Sequence, residues 1–249
     1  MIIDDRFRDR TEAGRRLAED LRAYAGRDDV IVLALPRGGV PVGYEVARAL
    51  RVPLDVFLVR KLGLPGHEEL AFGAIASGGA RVLNDRVVEM AGVPEDVIAR
   101  VTAREQRELE RREIAYRGDR PEPPLAGRTV ILVDDGLATG SSMRAAALAL
   151  RSHQPARIII AVPVAAQETC DEFRSEVHEV VCSRTPEPFH AVGLWYEDFS
   201  ETGDDEVRTL LARARTEASA DRASGRNAER VTHPPDDPFN AGRRTWRQP

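Results

Sequence analysis

Two aspartates, a glycine and three hydroxyl side chains fall within nine residues: Asp134, Asp135, Thr139, Gly140, Ser141 and Ser142. Two adjacent carboxylates accept hydrogen bonds from sugar hydroxyls, or hold Mg²⁺ directly or through water. They repel phosphate. The hydroxyls do the opposite, and the backbone N–H groups from Ala138 to Ser142 can face an anion where a helix begins. Gly140 allows a close backbone approach. The combination suits a phosphorylated sugar, with its hydroxyls at the acids and its phosphate in the loop.

Two further clusters carry charge at glycine-rich or strand-end positions. Arg37-Gly38-Gly39 follows an apolar run, and Arg60-Lys61 follows another. Lys61 is the one lysine among 36 basic residues. Codon usage explains an arginine bias, but a single compact, strongly hydrated cation in an arginine-rich chain singles itself out.

The elements that must position these residues read as alternating strands and helices. Val130–Val133 is a buried strand running into the acids, and Met143–Leu150 is a strong helix former. Val30–Leu35 is a second buried strand, followed by Pro36–Gly43 and a helix over Tyr44–Leu50. Leu54–Val59 is a third, Arg157–Val162 a fourth with a helix over Gln167–Arg174, and Val177–Cys182 an edge strand. Thr11–Ala25 has Ala13, Leu17 and Leu21 at four-residue spacing and ends at Gly26. This alternation predicts an α/β fold with a mostly parallel central sheet flanked by helices. In such sheets ligands bind beyond the carboxyl ends of strands, where all three clusters fall. An ordinary strand-to-helix turn with capping residues would explain half of the acidic segment. Alone, Pro36–Gly39 reads as a plain turn, since neither GxGxxG nor GK[ST] is present.

The run Val130-Ile131-Leu132-Val133-Asp134-Asp135-Gly136-Leu137-Ala138-Thr139-Gly140-Ser141-Ser142 resembles the phosphoribosyl pyrophosphate (PRPP) signature of the type I phosphoribosyltransferase family. That pattern is an apolar strand, two acids, two or three variable residues, then Thr-Gly-x-Thr or Ser. Gly136 stands where a larger apolar residue is common, and Ser142 where Thr is. A receiver domain also opens with an apolar strand and acids, but it needs a later lysine, and none follows Lys61.

The resemblance implies transfer of 5-phosphoribose from PRPP to a nitrogenous base, with Mg²⁺ and release of pyrophosphate. Gly136–Ser142 would hold PRPP through its 5′-phosphate. Asp134 and Asp135 would serve the ribose hydroxyls and Mg²⁺. Arg37, Gly38 and Gly39 would hold pyrophosphate. Arg60 and Lys61 would open a mobile loop, Arg60–Glu69, that closes over the site and stabilises departing charge. A small C-terminal hood over Glu187–Ser200 would cover the base, with Trp195 and Tyr196 as stacking candidates. Ala138 stands where enzymes for 6-oxopurines carry Asp, so the resemblance points toward adenine- or uracil-type enzymes. Two alternatives share the fold: a non-catalytic sensor of PRPP or nucleotide, and a hydrolase acting on either.

The remaining segments bound the picture. Leu70–Ala76 and Arg81–Leu83 read as a hairpin around Ser77–Ala80. Asn84 caps a helix over Asp85–Ala91, and a long helix follows from Glu95 to Tyr116 with a stripe of Val97, Val101, Leu109 and Ile114. Its Arg104–Glu113 run reads as a solvated, salt-bridged face and a candidate homodimer surface. Asp204–Arg215 is a final helix with acids first and arginine last. Residues 1–215 read as one domain and 216–249 as a disordered tail. A net charge of −5 disfavours nucleic acid. No apolar run is long enough to span a membrane, and the N-terminus does not resemble a signal peptide. Cys170 and Cys182 read as buried thiols of a cytoplasmic protein.

Overall fold

The computed structural model describes residues 6–231. Asp9 caps α1 (Arg10–Asp20) by accepting from Glu12 N at 2.8 Å. A 3₁₀ turn at Arg22–Tyr24 leads to β1 (Val30–Ala34), α2 (Gly39–Leu50) and β2 (Leu54–Val56). Then come β3 (Val59–Leu64), β4 (His67–Ala76), β5 (Ala80–Leu83), α3 (Asp85–Ala91) and α4 (Glu95–Arg117). The second half runs β6 (Thr129–Val133), α5 (Ser141–Leu150), β7 (Arg157–Val164), α6 (Gln167–Phe173), β8 (Glu179–Arg184) and α7 (Asp204–Val231).

Five strands make an all-parallel sheet in the order β2-β1-β6-β7-β8. Val30, Val32, Ala34, Ile131 and Val133 join Leu17, Val46 and Leu211 in one cluster. Ile31, Leu33, Val130 and Leu132 join Met143, Leu150 and Ile160 in another. Successive residues of a strand thus enter different cores, which is why these strands are apolar throughout. β1 and β6 are neighbours in register, with Ala34 opposite Val133. The loops after them therefore emerge side by side.

The remaining strands form a separate antiparallel sheet, β3-β4-β5. Here the structure shows paired strands, not a loop, over Arg60–Glu69. Arg60, Lys61 and Leu62 pair with Ile75, Ala74 and Gly73, and Pro65-Gly66 makes the turn, with Gly66 at φ +83°. The ribbon buries Leu62 and Phe72 completely but exposes one polar face, and that face made the segment look like a loop.

Four further corrections concern boundaries and surroundings. Helix α2 begins at Gly39, so Val40–Gly43 is helical. On α4 the buried stripe is Val101, Glu105, Leu109 and Tyr116, whereas Ile114 is 68% exposed. A carboxylate at an inward position broke the apolar pattern, so Glu105 belongs to no solvated face. Helix α7 continues past Arg215 to Val231, because helix-forming residues extend beyond its apolar contacts at Val207 and Leu211. Residues 232–249, with Phe239 and Trp246, lie outside the described residues. Cys170 and Cys182 are joined in a disulfide between α6 and β8, with Cα atoms 7.0 Å apart, and are not free thiols. No helix among the described residues is long and apolar enough to cross a membrane.

Candidate active site

The acidic pair sits where β6 ends, and the glycine pair after β1 is pressed against it. A Cβ on Gly38 would fall 2.0 Å from Asp135 Oδ2. One on Gly39 would fall 2.8 Å from the Val133 carbonyl and 3.0 Å from Asp134 Cα. Neither position tolerates a side chain while the loops keep this approach. The Pro36–Arg37 peptide bond between β1 and the glycines is cis.

Asp135 is held by a residue that the sequence does not flag. Arg10, the first residue of α1, places Nε and Nη2 each 2.9 Å from Asp135 Oδ2. Its Nη1 donates to the Ser200 carbonyl at 2.7 Å, and its guanidinium lies 4.0 Å from the centre of the Phe199 ring. Tyr196 donates its hydroxyl to the Asp135 carbonyl at 2.6 Å. Asp134 Oδ1 accepts the Asp135 N–H at 2.9 Å. Burial, then the like charge of Asp135, pushes the Asp134 carboxyl well above the usual carboxylate range. Burial also raises Asp135, against the pull of Arg10. Burial, followed by the charge of Asp135, raises the Tyr196 phenol.

The hydroxyl loop is anchored from below and open above. Leu137 exchanges backbone hydrogen bonds with Val164 and Ala166, at 3.0 and 3.1 Å. Thr169 on α6 donates to the Ala138 carbonyl at 2.7 Å. Gly140 has φ +66°, and a Cβ there would lie 2.5 Å from the Phe173 ring. Thr139 Oγ1 and Ser141 Oγ are 3.1 Å apart. Helix α5 starts at Ser141 with no side-chain cap, and its first internal bond is from Arg144 N to the Gly140 carbonyl. The amides of Ser141, Ser142 and Met143 precede that bond. They form the kind of N-terminal first turn that receives an anion.

A cavity of about 300 Å³ lies over this loop, lined by Lys61, Asp134, the loop residues Gly136–Ser142 and Val192. Lys61 on β3 faces it, and among the described residues no carboxylate is paired with that ammonium. Arg60 points the other way. It donates from Nε and Nη2 to Glu105 Oε2 on α4, at 2.8 and 2.5 Å. Strand alternation therefore sends one member of the expected cationic pair into the site and the other into a structural ion pair. Arg37 does not line the cavity; it pairs with Glu201 and lies 3.9 Å from Asp204.

The aromatic residues of the hood anchor it. Phe7 N donates to the Trp195 carbonyl at 2.8 Å, and Trp195 packs on the cluster of Phe7, Ala13, Val164 and Tyr196. Tyr196 is 3% exposed, with its ring centre 5.6 Å from that of Phe7 and 5.0 Å from that of Phe199. The Tyr196 ring thus has no open face for a base, and neither aromatic lines the cavity. The hood residue at the site is Val192. A Cβ on Gly136 would lie 2.5 Å from Val192 Cγ1, which explains glycine where the resemblance leads one to expect a larger residue.

The donor set admits a divalent ion of limited protein ligation. Among the described residues no three His, Cys, Asp or Glu side chains converge on one point. Asp134 faces the cavity, and Asp135 is engaged by Arg10. One or two carboxylates, with substrate oxygens and water completing the shell, match the way Mg²⁺ is usually bound beside phosphates.

A parallel α/β sheet carries an acidic pair and an uncapped hydroxyl loop at its strand ends, and Lys61 reaches them from the antiparallel ribbon. The chain belongs to the phosphoribosyl transferase domain family, whose model matches residues 7–193. It is 46% identical over 208 residues to proteins of Mycobacterium tuberculosis (strains CDC 1551 / Oshkosh and ATCC 25618 / H37Rv) that carry the provisional name phosphoribosyl transferase. That match covers 84% of this chain and 47% of each relative, so the chain spans about half the length of these relatives. The crystal structure of TT1426 from Thermus thermophilus is 44% identical, with a TM-score of 0.75, over 83% of this chain and 97% of that one.

Proposed function

We propose that the chain transfers 5-phosphoribose from PRPP to a nitrogen of a small aromatic base, with Mg²⁺ and with release of pyrophosphate. The observation that carries this reading is the cavity in which Lys61, Asp134 and the uncapped amides of Ser141–Met143 meet. The loop amides and the hydroxyls of Thr139, Ser141 and Ser142 receive the 5′-phosphate. The acids accept from the ribose hydroxyls, with Asp135 oriented by Arg10. Mg²⁺, when bound, supplies charge neutralisation of the pyrophosphate beside Asp134. Lys61 stabilises negative charge on the leaving oxygen as the bond to the sugar breaks. Gly38 and Gly39 let the loop after β1 close on the acidic pair, where it would offer backbone to the pyrophosphate. Val192 is the hood residue nearest the incoming base.

Calorimetric titration of PRPP with Mg²⁺ tests the reading, with the double variant Asp134→Asn/Asp135→Asn as control. Mg²⁺-dependent binding that the variant loses, followed by base-dependent pyrophosphate release across a panel of bases, is the expected result. Pyrophosphate release that needs no base would assign hydrolysis in place of transfer. Absence of PRPP binding by the intact chain would overturn the reading altogether.

A further inference from the structure

Helix α6 supports the hydroxyl loop from below, and it is a short support. It has seven residues and no side-chain cap, so tertiary contacts must hold it. Thr169 donates to the Ala138 carbonyl, and the Phe173 ring fills the space beside Gly140. The Ala166 N–H, just before the helix, donates to the Leu137 carbonyl at 3.1 Å. Arg144 of α5 lies 4.8 Å from the centre of the Phe173 ring and pairs with Glu172 at 2.8 Å. The position of α6 therefore sets both the loop and the first turn of α5.

Between Thr169 and Phe173 lies Cys170, joined to Cys182 on β8. These are the two cysteines of the chain. The bridge ties the middle of the short helix to an edge strand of the sheet. Cys170 is buried, at 1% exposure, whereas Cys182 is part-buried. An attacking sulfur thus meets Cys182 first, since exchange depends on access.

We propose that the Cys170–Cys182 disulfide is a redox control on the hydroxyl loop. Oxidised, it keeps α6 and the loop in the binding geometry; reduced, it releases them and PRPP binding weakens. The co-reactant is a dithiol. Its thiolate bonds to Cys182 Sγ as the Cys170–Cys182 bond breaks, and Cys170 Sγ leaves with the electron pair and takes a proton. The second thiol of the reductant gives up its proton and displaces Cys182 Sγ, which leaves as a thiolate and is protonated. Two electrons and two protons pass to the protein, and the reductant departs as a disulfide. The effect on PRPP rests on the function proposed above; the effect on the loop does not.

The full chain, oxidised and then treated with dithiothreitol, is compared by thiol labelling, amide hydrogen exchange and PRPP calorimetry with Mg²⁺. Labelling should find no free thiol before dithiothreitol and both thiols after it. Reduction should speed exchange at the amides of Leu137 and Ala166, which bond to the carbonyls of Val164 and Leu137 at the base of the loop. The amides of Leu35 and Gly39, on the β1 side of the site, should exchange as before. PRPP affinity should fall by about fivefold or more, and saturating PRPP should protect the disulfide from reduction by the same factor, because coupling is reciprocal. Cys182→Ser should match the reduced parent and ignore dithiothreitol. Free thiols throughout would overturn the proposal, as would loop amides indifferent to reduction or equal PRPP affinity in the two states. Equally fast exchange at Leu35 and Gly39 would mean that the whole fold opens, and would overturn a local control. Faster loop exchange with PRPP bound in neither state would uphold the control on the loop and overturn the transferase reading instead.

Discussion

At the scale of single residues, neighbouring side chains divide the labour of the site. Arg60 and Lys61 are adjacent in sequence yet face opposite sides of β3, so their substitutions should separate cleanly. Lys61→Ala should lower kcat/KM by roughly 10²–10³-fold, the usual cost of losing one electrostatic stabiliser of developing charge. Its melting temperature should stay close to the parent's, since Lys61 forms no ion pair among the described residues. Arg60→Ala leaves Glu105 buried and unpaired apart from Arg104 at 2.9 Å, and should cost about 1–3 kcal/mol in urea denaturation. Turnover of the folded fraction should be nearly intact. Asp134 gives a third case. Its carboxyl is raised in the fold, so the folded chain holds that proton more firmly than the unfolded chain does. Its contribution to stability is therefore favourable at low pH, and is lost as pH rises from the ordinary value through the raised one. At neutral pH Asp134→Asn should raise the melting temperature of the ligand-free protein, while PRPP binding is lost.

At the scale of elements, the site exists because two parallel strands end together. The register of β1 with β6 brings Gly38 and Gly39 against Asp134 and Asp135, and Gly140 turns the next loop under Phe173. Gly140→Ala would place a methyl group 2.5 Å from the Phe173 ring in a left-handed backbone conformation. PRPP affinity should drop tenfold or more, read by the same calorimetry, with a stability loss of about 1–3 kcal/mol. The strand–acid–loop–helix order was legible because a doubly buried parallel strand is a continuous apolar run, and a helix former follows it within a few residues. The β3–β4 ribbon was not legible as strand, because polar residues line one of its faces and a Pro-Gly turn divides it. The inward face of α4 was misread for a related reason: Glu105 occupies a core position, and only its ion pair with Arg60 explains it.

At the scale of the whole molecule, what escaped the sequence is what the fold brings from far away. Arg10 meets Asp135 across 125 residues, and no local spacing announces such a pair. Tyr196 and Trp195 stand out as aromatics in an aromatic-poor chain, but only the packing of the hood on Phe7 shows that they anchor it. Two other tyrosines close the molecule in the same manner. Tyr24, just after α1, donates its hydroxyl to Glu179 on edge strand β8, and Tyr116 on α4 donates to Asp204 at the start of α7 at 2.7 Å. Burial first, then the hydrogen bond to a carboxylate, pushes each phenol up to about 12. Between the ordinary phenol value near 10 and this raised one, the unfolded chain has released its tyrosine protons while the folded chain retains them. Stability must then fall as pH climbs through that window, because the unfolded state binds fewer protons there. The two tyrosines together should contribute a loss on the order of 2–4 kcal/mol across it. Tyr116→Phe removes one titrating group along with its hydrogen bond. The variant should therefore be less stable than the parent at pH 8, and the gap should narrow by pH 11.5 in matched urea titrations. A gap that stays constant with pH would mean that Tyr116 does not retain its proton against Asp204, and that the closure of α4 on α7 rests on packing alone.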